Sequence, residues 1–311
     1  MTRPLISLKV PATMANLGPG FDVMGMALTL YNVFDVEALL PEGDHVVHVT
    51  GEGAGELDDP ERNLVIRSYL HACAAWGIPP RGFVLQSNDA IPLRRGLGSS
   101  STAVVAGVVL AREISGSDIP LDEMLRVMTS IEGHPDNVVP CMLGGMVVSC
   151  WDGSRLSYVE MPSLPEDVLV IASVPDVQVS TVDARKALPE TIPFGDAVFN
   201  VGRASLLCAA WASGQWDLLS VAVEDRLHQP HCAKLFPGGE EMLRTIRARP
   251  DCLAVAISGS GPTVVALGRG PAAELATAMG DVFAAHGVSS RSFVLNGTDV
   301  GTTVERDVRR A

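Results

Sequence analysis

No segment of this chain approaches the ~18 unbroken apolar residues that a membrane-crossing helix requires. The opening stretch MTRPLISLKVPATMANLGPG holds no apolar run of signal-peptide length. Cysteine is sparse and unpaired in pattern. Cys73, Cys141, Cys150, Cys208, Cys232 and Cys252 contain no C-x-x-C, which removes zinc ribbons and thioredoxin-like motifs. Several stand in apolar helical or strand-like contexts, where a free thiol packs as a small hydrophobe. Reduced thiols and a cytoplasmic location are therefore expected. Positive charge is also short, with 23 Lys and Arg against 36 Asp and Glu and a net charge of -13. That balance argues against a nucleic-acid partner, which needs a basic footprint. An anionic small molecule can still be held, provided a local site and a divalent cation offset the acidity.

What the chain does have is apolar mass. Of its 311 residues 47% are hydrophobic and 19% charged, enough for two domains with real cores. LISLKV, MGMALTLYNVFDVEALL and HVVHVTGEG read as strands, and NLVIRSYLHACAAWG as an amphipathic helix closed by Gly77. After strand GFVLQS come a Gly/Ser loop with an apolar helix, the helix LDEMLRVMTSIEG and the strand GGMVVSCW. The polar, proline-bearing stretch from Ser154 to Asp167 marks a boundary, giving domains 1–158 and 159–311. Beyond it, strand VLVIASVP leads to helices in STVDARKAL, AVFNVGRASLLCAAWASG and WDLLSVAVEDRL. Helix GGEEMLRTIRAR, strands CLAVAIS and PTVVALG, helix AAELATAMGDVFAAHG and strand SRSFVL follow. The elements alternate without a regular β-α-β-α march, so the expected class is α+β. Neither an internal repeat nor a low-complexity tract is present.

Four clusters carry chemical interest. IPLRRGLGSSSTAVVAGVVLA, Ile91 to Ala111, places glycines and serines at the mouth of a helix. Free N–H groups and a helix dipole worth roughly half a positive charge make an anion site there. Gly96 and Gly98 permit positive φ and close approach to a phosphate. The loop lacks the Walker lysine, and no V-A-I-K strand follows it. Its structural alternative is a flexible turn with a serine N-cap. VPATMANLGPGFD, Val10 to Asp22, reads as a constrained turn after the first strand, presenting Asn16 and Asp22. Those two side chains could equally do no more than hold the turn. IEGHPDNVVP places Glu132, His134, Asp136 and Asn137 close together, with Pro135 suited to a first helical position. Asp136 could serve only the helix dipole. A zinc site joining His134, His228 and His231 lacks finger or H-E-x-x-H spacing. AISGSGPTVVALG, Ala256 to Gly268, taken alone is a hairpin connection.

Taken in order, these clusters resemble the GHMP kinase superfamily: P-A-x-x-A-N-L-G-P-G-F-D first, P-x-x-x-G-L-G-S-S next, S-G-x-G-P-T late. Within it, PATMANLGPGFD, LTLYN, EGHPDN and RLHQP are most similar to the homoserine kinase branch, and no G-E-H sugar-kinase motif occurs. The resemblance spans Val10 to Leu267. It implies a ribosomal protein S5 domain 2-like N-terminal domain and a ferredoxin-like C-terminal domain, with ATP and substrate between them. The implied reaction moves the γ-phosphoryl of Mg-ATP to the hydroxyl of L-homoserine, in threonine biosynthesis. By motif, Pro92, Gly96, Leu97, Gly98, Ser99, Ser100 and Ser101 would wrap the phosphates, and Asn63 would lie at the adenine. Ser100 and Glu132 would ligate Mg²⁺, a hard cation suited to oxygen donors. Asn16, Asp22, His134, Thr181 and Arg185 would bind the amino-acid acceptor. Asp136, Asn137 and Arg185 would act at the transfer, with Asp136 either a base or a positioning group. Charge balance and the lack of a long apolar run lead to the expectation of no nucleic-acid or membrane partner, and the resemblance leaves room for a homodimer.

Three positions depart from the family pattern. Met14 replaces a usual Ser, Ser101 a usual Ala, and Cys232 an arginine that the family uses on the acceptor's carboxylate. Arg203 or Lys234 is the expected substitute for that arginine. A GHMP-type kinase of another small amino alcohol or hydroxy acid stays open beside the homoserine assignment. A non-catalytic binding protein is disfavoured, because Ser100, Glu132, Asp136 and Arg185 are all retained.

Overall fold

The computed structural model describes residues 3–307. Strands β1 (Ile6–Ala15) and β2 (Met24–Leu40) pair antiparallel, with a register shift between Pro11 and Ala12. Pro11 has no N–H to give the ladder, and a bulge absorbs such a residue inside a sheet. The first strand thus runs on through PATMA rather than ending before it. The turn begins only at Asn16, where Asn16, Leu17, Gly18 and Asp22 all take positive φ.

β2 is the longest strand and has three neighbours. Its far half pairs with β4 (Gly82–Asp89), which lies parallel to β3 (His45–Gly51) across the helical crossover α1 (Leu64–Trp76). Its near end pairs with β5 (Met146–Trp151), and β5 with β6 (Leu156–Glu160). Between β4 and β5 come α2 (Ser99–Ser115), α3 (Leu121–Glu132) and α4 (Pro135–Leu143). α2 is buried on every side from Val104 to Ala111, as its wholly apolar VVAGVVLA demands.

The second sheet contains β7 (Val168–Pro175), β8 (Cys252–Ile257), β9 (Val264–Arg269) and β10 (Ser290–Leu295) in the order β10-β7-β9-β8. All its pairs are antiparallel, and this order is that of a ferredoxin-like unit, as expected. Along β7, β9 and the Ala254–Ile257 part of β8, residues alternate between two cores. Val170, Ala172, Ala254, Ala256, Val265 and Leu267 share a core with Met14 and Met24 of the first sheet, Leu17 of the turn between them and Leu97 of the loop before α2. Ile171, Val255, Ile257, Val264 and Ala266 face the outer helices α9 (Gly239–Arg247) and α10 (Ala272–Ala285). Burial on both faces explains why β7, β8 and β9 read as continuous apolar runs, whereas the edge strand β10 is exposed on one face. The remaining helices are α5 (Thr181–Lys186), α6 (Phe194–Ser213), α7 (Leu219–Ala222) and α8 (Gln229–Cys232).

One expectation is corrected here. WDLLSVAVEDRL is not one helix: a 3-10 turn and the short α7 end at Ala222, and Asp225 then accepts the N–H groups of Leu227, His228 and Gln229. The 158/159 division falls inside β6. The chain also returns to the first sheet, where exposed β11 (Thr303–Arg306) adds an edge beside β1. A four-residue exposed strand carries no apolar alternation from which it could be read.

Gly107 of α2 lies so close to α1 that a Cβ would stand 2.4 Å from the Val65 carbonyl oxygen. Helix propensity favours Ala over Gly by about 1 kcal/mol, but overpacking against backbone costs about 1–3 kcal/mol or more. Gly107→Ala is therefore expected to lower the urea midpoint. Gly202→Ala in α6, where a Cβ meets nothing within 4 Å, is expected to raise it by about 1 kcal/mol. Equal responses from the two glycines would refute the packing assignment.

Candidate active site

A cleft of about 420 Å³ lies between the two units, floored by the loop before α2. Gly98 is the N-cap of α2 with φ 73°, and no side chain caps the helix. The serine N-cap alternative therefore fails, and the first N–H groups of α2 are left for an anion. Each loop glycine is pressed from behind. A Cβ on Gly96 would meet the Ser258 carbonyl oxygen at 2.2 Å, and one on Gly98 the Thr13 Oγ1 at 2.0 Å. Ser258 Oγ donates to the Gly96 carbonyl at 2.6 Å, and Thr13 N–H to the Leu97 carbonyl at 3.1 Å. The S-G-x-G-P-T turn is thus the back wall of the loop. It is not merely a hairpin connection.

Gly96, Gly98, Ser99, Ser100 and Ser101 line the cleft, whereas Pro92 and Leu97 do not. Leu97 is fully buried in the core between the sheets, so its side chain anchors the loop instead of touching a ligand. Ser100 and Ser101 both donate to Glu132 Oε1, at 3.3 and 2.9 Å. Burial pushes the Glu132 carboxyl up. His134 and the serine bonds oppose that effect, and Asp136 adds to it.

Two residues beyond Glu132, His134 is the N-cap of α4 and Pro135 its first residue, as the sequence suggested. His134 Nδ1 bonds Asp136 Oδ1, and Asn137 Nδ2 donates to the same oxygen at 3.3 Å. Burial alone would lower the His134 pKa. The bond and charge of Asp136, with Glu132 and Asp22 further off, outweigh it and push the imidazole up to about 9. His134 is therefore an imidazolium at neutral pH. Asp136, only 2% exposed, does more than face a helix dipole. Asn137 is held in turn by Thr13 Oγ1, which donates to its Oδ1 at 2.6 Å.

At the other wall Asn16 Oδ1 accepts the Asp22 N–H, and its Nδ2 donates to the Gly259 carbonyl at 3.1 Å. Asn16 thereby sets Asp22 in place. Arg185, one turn after Thr181 on the same face of α5, reaches Asp22 with both terminal nitrogens, at 3.0 and 2.8 Å. Both side chains keep substantial exposure, 43% for Arg185 and 32% for Asp22. Asp22, His134 and Asp136 bring ligand atoms within 4.8 Å of one another, a spacing that a metal could use. The imidazolium on Asp136 and the guanidinium on Asp22 already account for that grouping.

The cleft is also lined by the apolar side chains of Phe34, Leu57, Val65, Leu93 and Ala103, which form an apolar slot, and by Asn63, Ser87 and Asp89. Asn63 Oδ1 caps α1 by accepting from Val65 and Ile66, and Nδ2 donates to the Leu57 carbonyl at 2.9 Å. It shapes the slot through backbone bonds.

Cys232 stands outside the cleft lining, fully buried, and burial pushes its thiol up to about 12. Neither expected substitute reaches the cleft. Arg203 is held by Glu224 at 2.8 Å, and Lys234 borders a separate surface depression. The cleft also contains Phe21, Arg95 and Asp89, which sequence patterns did not single out, and His228, which the sequence offered only within an ill-spaced zinc set. Phe21 and His228 stand inside motifs already noticed, NLGPGFD and RLHQP, but nothing in their type or spacing marks them.

Comparison with known proteins accords with this geometry. A family model described as "GHMP kinases N terminal domain" matches residues 63–145, and "GHMP kinases C terminal" matches residues 205–285. The chain is 42% identical to a homoserine kinase of Carboxydothermus hydrogenoformans, over 85% of this chain and 86% of that protein. It is 40% identical to one of Moorella thermoacetica, over 92% and 94% respectively. A crystal structure of homoserine kinase from Cytophaga hutchinsonii superposes with a TM-score of 0.84 at 28% identity, covering 98% of this chain and 99% of that one. Lactococcus lactis galactokinase shares the fold at a TM-score of 0.71 and 14% identity, covering 96% and 95%.

An exposed ion pair contributes little to stability, commonly under about 1 kcal/mol. Asp22→Asn keeps a residue that tolerates positive φ while removing the charge. Its urea midpoint is expected to stay within about 1 kcal/mol of the parent. A loss of several kcal/mol would make the Asp22–Arg185 pair structural and not part of a binding site.

Proposed function

The chain belongs to the homoserine kinase family of the GHMP kinases, and from that premise we propose that it transfers the γ-phosphoryl group of ATP to the side-chain hydroxyl of L-homoserine. The Asp22–Arg185 pair carries the substrate assignment. A zwitterionic amino acid inserted there exchanges one ion pair for two: its ammonium takes Asp22 and its carboxylate takes Arg185. Neither protein charge loses its opposite. A neutral alcohol would have to separate the pair without replacing it. The cleft in this sense is shaped by charge for an amino acid.

On the nucleotide side, the apolar slot suits a flat base, with Asn63 at its edge. The uncapped start of α2 and the glycine loop supply backbone N–H groups to phosphates. Ser100 and Glu132 offer Mg²⁺ a hydroxyl and a carboxylate, both hard oxygen donors, and a cation beside Glu132 offsets the burial that raises its pKa. Bound there, Mg²⁺ would supply positive charge to the phosphate oxygens.

At the transfer itself positioning matters more than a strong base, because little bond formation to the acceptor precedes departure of the phosphoryl group. Asp136 Oδ1 is occupied by His134 and Asn137, and no hydrogen bond reaches its Oδ2. In this proposal Oδ2 accepts the acceptor's hydroxyl proton, while the imidazolium of His134 supplies fixed positive charge nearby. Thr181 and Arg185 complete the wall beside the γ-phosphate. The proposal extends to a cytoplasmic enzyme of threonine biosynthesis that forms a homodimer. The exposed stripe Phe194, Val198 and Val201 on α6 supports the pairing, which sedimentation velocity would test.

Turnover of a panel of acceptors tests the assignment. L-Homoserine is expected to exceed both 4-hydroxybutyrate and 3-aminopropan-1-ol in kcat/KM by about 10²-fold or more, because each analogue leaves one charge of the pair uncompensated. Preference for an analogue would move the enzyme to another acceptor within the family. Glu132→Gln is expected to lower kcat about 10²-fold while changing Mg-ATP affinity less than about tenfold. Near-parental turnover at saturating Mg²⁺ would reduce Glu132 to a partner of the two serines.

A further inference from the structure

His228 borders the cleft with 2% of its surface exposed, and the mechanism above leaves it unused. Its ring stacks on Phe21, centroids 4.7 Å apart and planes 23° from parallel. The other neighbour of the Phe21 ring is the Arg185 guanidinium, 5.3 Å from the centroid. His228 and Arg185 therefore flank one aromatic ring at the acceptor end. The backbone of His228 is fixed, since its N–H donates to Asp225 Oδ2 at 2.8 Å. Its two ring nitrogens differ sharply. Nε2 lies 3.1 Å from Cys232 Sγ on the core side. Nδ1 is buried and has no hydrogen-bond partner.

Buried polar nitrogens are almost always satisfied, so an orphan at a ligand cleft points to a group supplied by the ligand. The tautomer decides which group. Burial lowers the His228 pKa and raises that of the Cys232 thiol, so an uncharged imidazole meets an uncharged thiol. A ring nitrogen lone pair is a good acceptor and sulfur a weak one, so the S–H donates to Nε2. The ring proton must then sit on Nδ1, the orphaned atom. That nitrogen is a donor.

We propose that Cys232 holds His228 as its Nδ1–H tautomer and that this N–H donates to the carboxylate of the amino-acid acceptor, beside Arg185. The proposal rests on the amino-acid reading of the cleft. A neutral donor gives direction without a second positive charge, which suits a wall where Arg185 already supplies one. The roles of the two residues differ: His228 touches the acceptor, and Cys232 is a positioning residue that acts through it.

His228→Leu is expected to raise KM for L-homoserine roughly ten- to a hundredfold, the range for losing one hydrogen bond to a charged group. The value of kcat should stay within about threefold, and KM for ATP should not move. His228→Asn, whose amide N–H falls near the Nδ1 position, should recover most of the loss. It also guards against a folding defect in the leucine variant, which its melting temperature would reveal. The penalty of His228→Leu should persist with 4-hydroxybutyrate, which keeps the carboxylate, and vanish with 3-aminopropan-1-ol, which lacks it. A penalty that follows the amino group, or none with any acceptor, overturns the proposal. Nitrogen-15 NMR of imidazole-labelled protein reads the tautomer without any substrate. The parent should show Nδ1 protonated and Nε2 bare, Cys232→Ser should keep that state, and Cys232→Ala should mix the two. A parent protonated on Nε2 overturns the proposal whatever the acceptor. A parent enzyme inert towards homoserine but active on 3-aminopropan-1-ol would defeat the functional reading and the carboxylate role with it, leaving the tautomer to be judged by NMR alone.

Discussion

Close packing behind two glycines is the constraint on which this site depends. Gly96 leans on the turn after β8 and Gly98 on Thr13 of β1, so the loop is clamped between the two units. Thr13 then carries the effect onward. Its hydroxyl holds Asn137, Asn137 bonds Asp136, and Asp136 bonds His134. A continuous line of contacts thus joins the anion loop to the charged group opposite it. Any side chain at Gly98 would push on Thr13 before it disturbed a ligand.

Electrostatics in this acidic chain is local. A net charge of -13 should repel a polyphosphate, yet the cleft presents it with the uncapped start of a helix, an imidazolium and Arg95. Arg95, within the loop, is itself tied to Asp176 just after β7, which links the loop to the second unit. Two acidic groups of the cleft are matched individually by cations: Asp136 by His134, Asp22 by Arg185. Glu132 has only hydroxyl partners, as does Asp89 with Ser87, so these two carboxylates lack a cationic partner.

The scaffold beneath is rigid for ordinary reasons. α2 is buried on all sides, so the helix whose N-terminus faces the cleft cannot shift without opening the first core. A second core is shared by the inner faces of both sheets and fixes the cleft's width. Polar side chains of the site stand at element ends, at the start of α2, the end of α3 and the first turns of α4 and α5. There backbone groups are free and side chains can project from a packed body.

Local chemistry made much of this legible. Gly77 closing α1, Pro135 opening α4, the wholly apolar α2 and the continuous apolar runs of β7, β8 and β9 all follow from short-range rules of propensity, capping and composition. The density of Glu132, His134, Asp136 and Asn137 likewise marked a site, because such polarity has no role in an apolar core unless something uses it. Tertiary structure decided the rest. Only the fold turns Leu97 and Cys232 inward, because which side of a loop or short helix is buried depends on what packs against it. Only the fold brings Arg185 onto Asp22 across 163 positions of sequence, or adds exposed β11 to the edge of the first sheet. Phe21 and His228 gained meaning the same way. A histidine's available nitrogen is set by neighbours that the chain supplies from elsewhere, and linear sequence does not encode their distance.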